Sequence, residues 1–115
     1  MEIRLKRVYD PAAETDGYRV LVDRLWPRGV SKERAQLDEW AKQLAPSTEL
    51  RIWFHHEHPR FPEFRRRYLT ELAEAGDALA ELRARARAGT VTLVYGAHDE
   101  RENGAVVLAD VLRDG

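Results

Sequence analysis

Tyr18-Arg19-Val20-Leu21-Val22-Asp23, running on into Arg24-Leu25-Trp26-Pro27-Arg28-Gly29, decides the fold. The first six residues form a dense apolar strand, the kind that belongs at the centre of a sheet. The pattern ends abruptly in two arginines flanking a Trp-Pro turn. Arg24 and Arg28 stand four residues apart across that turn, and their planar guanidinium groups can converge on a carboxylate, a phosphate or another oxyanion. Trp26 offers a stacking face beside them. The same residues also admit a purely structural arrangement, with Asp23 pairing with Arg24, Trp26 packed in the core, and Pro27 and Gly29 making an ordinary turn.

Working outward, residues 2–8 alternate Ile3 and Leu5 with Arg and Lys, a strand whose basic face suits a sheet edge. Asp10-Pro11 and Asp16-Gly17 bracket the loop between the two strands. Ser31 is placed to cap a helix, and Leu37, Trp40, Ala41 and Leu44 at helical spacing predict that it runs to Ala45, where Pro46 stops it. Ser47 can cap a second, short helix carrying Leu50, Trp53 and Phe54, with Glu49 in its first turn where the dipole favours negative charge. His55-His56-Glu57-His58-Pro59 interrupts the pattern. A long helix follows from about Pro62 to Ala75, its apolar face made by Phe61, Phe64, Tyr68, Leu72 and Ala75. Gly76 ends it, and Asp77 caps another helix, with Leu79, Leu82 and Ala86 inward, up to Gly89. Arg83, Arg85 and Arg87 fall near the C-terminus of that helix, where cations are favoured, and read as a solvated face. Thr90 to Tyr95 is a buried strand by its β-branched content, and Asn103 to Leu112 a final helix with Ala105, Leu108, Ala109 and Leu112 inward.

Strands separated by helices imply parallel pairing through helical crossovers. The expected architecture is therefore a single compact three-layer α/β domain over residues 1–115, with a small, mainly parallel sheet flanked by helices. In such sheets ligands sit beyond the carboxyl ends of the strands. If the strands ending at Asp23 and Tyr95 are neighbours, their following loops form one cleft.

Composition narrows the chemistry. With hydrophobic residues at 43% and charged residues at 34%, the balance is that of a globular protein with a well-solvated surface. No apolar run approaches the roughly 20 residues that span a bilayer, and the alternating N-terminus lacks the apolar segment of a signal peptide, so a cytoplasmic protein without membrane partners is expected. The absence of cysteine removes disulfides, thiolate nucleophiles and Cys-based zinc or iron-sulfur sites. With 19 basic and 20 acidic residues, the even charge argues against general duplex nucleic-acid binding. Nothing in the chain implies a cofactor.

The loop after the last strand supplies His98, Asp99 and, about one helical turn later, Asn103, a histidine, a carboxylate and an amide able to line one cleft wall. Asp99 can act as a general base or cap the following helix. Tyr95 can offer its hydroxyl to a ligand or bond at the sheet end. The run His55-His56-Glu57-His58 lacks the i, i+4 spacing by which helical histidines share an ion, so no metal site is expected there. A single histidine turned to the cleft as acid or base suits an unperturbed pKa of about 6.5. Ser31 and Ser47 stand where caps are expected, which argues against a nucleophilic serine.

VDRLWPRG at 22–29, Ala45-Pro46-Ser47, Leu50-Arg51-x-Trp53-Phe54-x-His56, and LVYGAHD at 93–99 followed by Asn103-x-Ala105 resemble the YeaO-like family of uncharacterised proteins, the domain of unknown function 488. The resemblance spans nearly the whole chain, with four separated motifs in order. It implies a small cytoplasmic α/β domain and marks Arg24, Trp26, Arg28, Ser47, Trp53, His56, Tyr95, Asp99 and Asn103 as motif positions, without assigning catalytic roles. The chain departs from the family's pattern at Gly96 and His98, where alanine and lysine are expected, and at Glu102 and Gly104, where histidine and a second amide are common.

The functional expectation is a domain that binds an anionic small molecule, nucleotide-like or a phosphorylated metabolite, in an Arg/Trp-lined cleft at the strand C-termini. Arg24, Trp26, Arg28, Ser47, Tyr95, His98 and Asn103 are the expected ligand contacts, and Asp99 and His56 the expected acid or base. The alternative is a non-catalytic interaction or regulatory domain that binds a protein or single-stranded nucleic acid. A concave pocket favours the first reading and a flat exposed patch the second.

Overall fold

In a computed structural model of the chain, which describes residues 1–114, the two apolar strands are parallel neighbours. β2 (Tyr18–Leu21) lies along β4 (Val91–Tyr95), with Val20 opposite Leu93 and Leu21 opposite Val94. β1 (Ile3–Arg7) pairs with the other side of β4, and the two-residue β3 (Glu39–Trp40) with the outer side of β2. The four-stranded sheet is thus all parallel, in the order β1-β4-β2-β3. β1 is an edge strand, as its alternation predicts, and β4 is buried along its whole length.

Because side chains on a strand alternate between faces, β2 and β4 feed two separate cores. Val20, Val91, Leu93 and Tyr95 face a large core built from α2 (Thr48–Phe54), α3 (Phe61–Ala73), α4 (Gly76–Ala88) and α5 (Gly104–Asp114). Leu21 and Val94 face a smaller cluster with Val8, Val30 and Ala35, covered by Trp26, Leu37 and Trp40. That second layer is thin: among the described residues its α-helix is the single turn α1 (Lys32–Ala35). The large core is aromatic at its centre, where Phe54 stacks on Phe64 at 4.3 Å and Phe64 meets Tyr68 at 5.7 Å.

Most expected elements are present. Ser31 and Ser47 both cap, their hydroxyls accepting the N–H of Arg34 and Leu50. Asp77 does not cap α4 but sits in its first turn, where the dipole still favours its charge. The helix expected from Ser31 to Ala45 is a correction. It stops at Ala35; Gln36 turns left-handed (φ 46°), and the chain becomes β3 and then a 3-10 turn at Lys42–Leu44. Two tertiary interactions overrule the helical spacing. The guanidinium of Arg19 donates to the carbonyls of Ala35 (2.8 and 3.1 Å) and Gln36 (3.2 Å), holding groups that a longer helix would use internally. The open side of β2 offers unpaired peptide groups, which Asp38 N and Ala41 N satisfy at the carbonyls of Arg19 and Leu21.

Arg19 itself is only 3% exposed. It pairs with the equally buried Asp16 at 2.6 Å, and Lys6 reaches the same carboxylate at 2.8 Å. Burial pushes the Asp16 carboxyl up, but Lys6, the Ala13 N–H and Arg19 outweigh it and hold the group below its ordinary value. Asp16 leads into Gly17, whose left-handed φ of 64° starts β2 against β4. A Cβ there would lie 2.3 Å from the Thr90 carbonyl oxygen, a backbone atom that cannot step aside.

Gly29 has a similar φ of 77° with open space around it. Gly29→Ala should therefore cost only the left-handed strain, about 1 kcal/mol, whereas Gly17→Ala adds a backbone clash at the β2–β4 pair and should cost several times as much. Chemical denaturation of the two variants side by side checks this; equal losses would contradict it.

Candidate functional site

β2 and β4 end side by side, and Val22 N still donates to Val94 O at 3.0 Å beyond the strand. The loops 22–29 and 96–103 therefore leave the sheet at one edge, and a cleft of about 590 Å³ opens between them. The end of α2, the turn at His58–Arg60 and the first turn of α5 close its other sides. Trp26, Pro27, Pro46, Phe54 and Phe64 make its apolar walls.

Seven of the nine expected site residues line this cleft: Arg24, Trp26, His56, Tyr95, His98, Asp99 and Asn103. Arg28 and Ser47 do not. Arg28 is exposed on the far side of the turn, its carbonyl accepting the Tyr9 hydroxyl, so the two arginines do not converge. Ser47 is a capping residue also bonded to Glu71, its hydroxyl donating at 2.6 Å, and it faces a separate shallow depression.

Arg24 forms no ion pair with Asp23. Its guanidinium donates to the carbonyls of Pro46 (3.0 Å) and Ala45 (3.4 Å), tying the β2 loop to the segment before α2. Trp26 is both wall and packing: its indole N–H donates to Val30 O at 2.7 Å, and its ring meets Trp40 edge-on at 5.3 Å. Asn103 is buried and caps α5, Oδ1 accepting from Val106 N and Nδ2 donating to Asp99 O. Asp99 Oδ1 accepts the N–H groups of Arg101 and Glu102, and these, helped by His58 and His56, keep its carboxyl below the ordinary value. A carboxylate so well satisfied is a weak general base. His56 sits in a left-handed conformation (φ 53°) after His55 (φ 43°), its ring 5.2 Å from Phe54. Desolvation lowers its pKa against the opposing pull of Asp99, so it is mainly neutral near pH 7. Burial, then Glu100, raise Tyr95 against Arg7 and Asn103.

The residue that sequence reasoning missed is Asp23, weighed there only as a partner for Arg24. Its Oδ2 accepts the Gly96 N–H at 2.8 Å, joining the two loops across the sheet edge, and its carbonyl accepts the Trp40 indole N–H at 2.8 Å. Desolvation, only partly offset by Gly96, pushes its carboxyl up to about 6. The available signal was an acidic residue closing a run of apolar ones, a position that faces the strand-end cleft. At the rim, His58, Asp99 and Glu102 each bring one donor atom within 4.8 Å of the others, a set that could hold a divalent cation. The hydrogen bond and charge of Glu102, then the charge of Asp99, raise the His58 pKa above its ordinary value.

The family described as "Inactive DUF488-N3 subclade" matches residues 2–115. The chain belongs to that family. It is 52% identical to the uncharacterized protein YeaO of Escherichia coli (strain K12) over 116 residues, covering 98% of both chains. It is 44% identical over 110 residues to the uncharacterized proteins Rv3073c of Mycobacterium tuberculosis (strain ATCC 25618 / H37Rv) and Mb3100c of Mycobacterium bovis (strain ATCC BAA-935 / AF2122/97), covering 96% of this chain and 92% of theirs. No solved structure matches the chain significantly. The YeaO-like resemblance read from the four motifs thus stands. Among the described residues no helix is long and apolar enough to cross a membrane.

The raised pKa of Asp23 has a sign that can be measured. Because its folded value, about 6, lies above the ordinary 3.8, the native protein holds a proton that the unfolded chain has released between these values. Ionisation is disfavoured in the fold, so stability should fall as pH rises through that window, by up to about 3 kcal/mol. Asp23→Asn keeps an acceptor for the Gly96 N–H and cannot ionise. It should lack this slope and match or exceed the parent's stability at pH 7.5, as read by urea midpoints; an unchanged slope would place the dependence elsewhere.

Proposed function

We propose that the chain binds an anionic small molecule, nucleotide-like or a phosphorylated metabolite, in the cleft between the β2 and β4 loops, and holds it without chemical turnover. The observation that carries this reading is the cleft itself: a concavity of about 590 Å³ with aromatic walls and a few convergent polar groups, in the range of small-molecule pockets rather than flat docking surfaces. The concavity favours a small ligand over the protein or single-stranded nucleic-acid partner that the sequence also allowed.

The cationic side of the cleft differs from the one expected. Arg51, from the end of α2, lines it with an exposed guanidinium, and the first turn of α5, Gly104 and Ala105, presents the positive end of that helix. Arg24 contributes positive charge while its N–H groups stay on backbone carbonyls. Binding without turnover is supported by the family's description as an inactive subclade and by the state of the expected acid and base. Asp99 is fixed by backbone N–H groups, and the lining of the cleft among the described residues carries no serine, threonine, cysteine or lysine for His56 to activate.

A thermal-shift series with nucleoside monophosphates, the parent nucleosides and sugar phosphates tests the reading. Ligand at a hundred times its Kd should stabilise the protein by about 2.7 kcal/mol. The shift should appear with the phosphorylated compounds, largely vanish in Arg51→Gln, and persist in Arg28→Ala. Phosphorus NMR of the mixture should show the ligand unchanged after prolonged incubation. Absence of any shift would remove the small-molecule reading, and conversion of the ligand would remove the claim that it is only held.

A further inference from the structure

An unpaired carboxylate is a poor floor for a site that takes an anion, and Asp23 is one. Its backbone is fixed on both sides, Val22 N bonding Val94 O and the Trp40 indole bonding Asp23 O. One carboxylate oxygen, Oδ2, is anchored by Gly96 N, and the other has no hydrogen-bond partner among the described residues. Among those residues no buried side-chain oxygen or nitrogen lacks a partner, so this second oxygen is reached by solvent, and Asp23 lines the cleft. No cation answers it: Asp23 forms no ion pair among the described residues, and the adjacent Arg24 is held by the carbonyls of Ala45 and Pro46. The occupant must therefore carry two ends, an anionic one toward Arg51 and a hydrogen-bond donor toward Asp23. An acceptor of this kind discriminates strongly, because a ligand that covers it without offering a donor strips its water and leaves it unmatched.

We propose that Asp23 selects the ligand of this cleft, its carboxylate receiving the two adjacent N–H donors of a guanine-type ring edge while the aromatic walls take the ring and Arg51 the phosphate. The proposal rests on the nucleotide-like reading above and names its base. Oδ2 has a second lone pair beyond the one that receives Gly96 N–H, so both oxygens can accept from an edge with paired donors. An adenine edge offers one donor beside an acceptor, and that acceptor would face a carboxylate. The raised carboxyl pKa agrees with a group that lacks a cation and awaits a donor.

Calorimetric titration of the wild-type protein with GMP, IMP, AMP and N1-methyl-GMP provides the test. GMP should bind best, IMP should be weaker for want of the exocyclic amine, and AMP and N1-methyl-GMP should each lose about tenfold or more. These comparisons need no variant and do not depend on how a substitution folds. Asp23→Asn, checked by its melting curve, keeps an acceptor for Gly96 and turns an amide donor to the cleft. It should weaken GMP about tenfold or more and bring AMP level with it or ahead. Equal binding of GMP and N1-methyl-GMP, or a variant with unchanged preference, overturns the role of Asp23 and leaves the anion-binding cleft standing. Failure of all four to bind, together with no shift from sugar phosphates, removes both.

Discussion

The parallel pairing of β2 with β4 is the constraint on which the rest of the molecule depends. It sets Val20 beside Leu93 and Leu21 beside Val94, so that alternate side chains supply two different cores. It also brings two strand C-termini to one edge, and the loops that leave there form two walls of the cleft. Gly17 permits the start of that pairing by letting the chain pass against Thr90, and the Asp23–Gly96 hydrogen bond closes its far end.

Arginine in this protein serves the backbone as often as it serves charge. Arg19, buried with Asp16, ends α1 by holding the carbonyls of Ala35 and Gln36, and so delivers residues 38–41 to the open side of β2. Arg24 does the same for Ala45 and Pro46, and Arg83 for Val111 and Leu112 at the end of α5. A guanidinium has five donors in a rigid fork, which suits it to carbonyls left open at chain ends. One consequence is electrostatic. Arg24, engaged in this way, leaves the Asp23 carboxylate without an ion pair among the described residues, while Arg51 lines the cleft with its side chain exposed.

The separation of roles among the carboxylates follows from their partners. Asp16 has two cations and an N–H, and its charge is favoured. Asp99 has two backbone N–H groups and neighbouring histidines, with the same result. Asp23 has one N–H and an apolar surround, and its proton is held more tightly. Distance along the chain predicts none of this, since the partners come from residues remote in sequence.

Sequence alone determined the order and kind of the main elements, because apolar spacing, caps and glycine or proline stops are local signals. It also pointed to where a cleft would open, since two strands ending in polar loops must, if parallel neighbours, open one, and seven of the nine residues expected at a site line it. It misjudged the segment after Ala35, where a helical spacing was overruled by Arg19 and by the unpaired edge of β2. Only the tertiary structure decided that Arg24 would hold backbone and Arg28 face away, and that Asp23 would line the cleft without an ion pair among the described residues. The physical reason is common to these cases: a side chain's role is set by which partner satisfies it, and for arginines and aspartates near strand ends the competing partners are brought together only when the chain has folded.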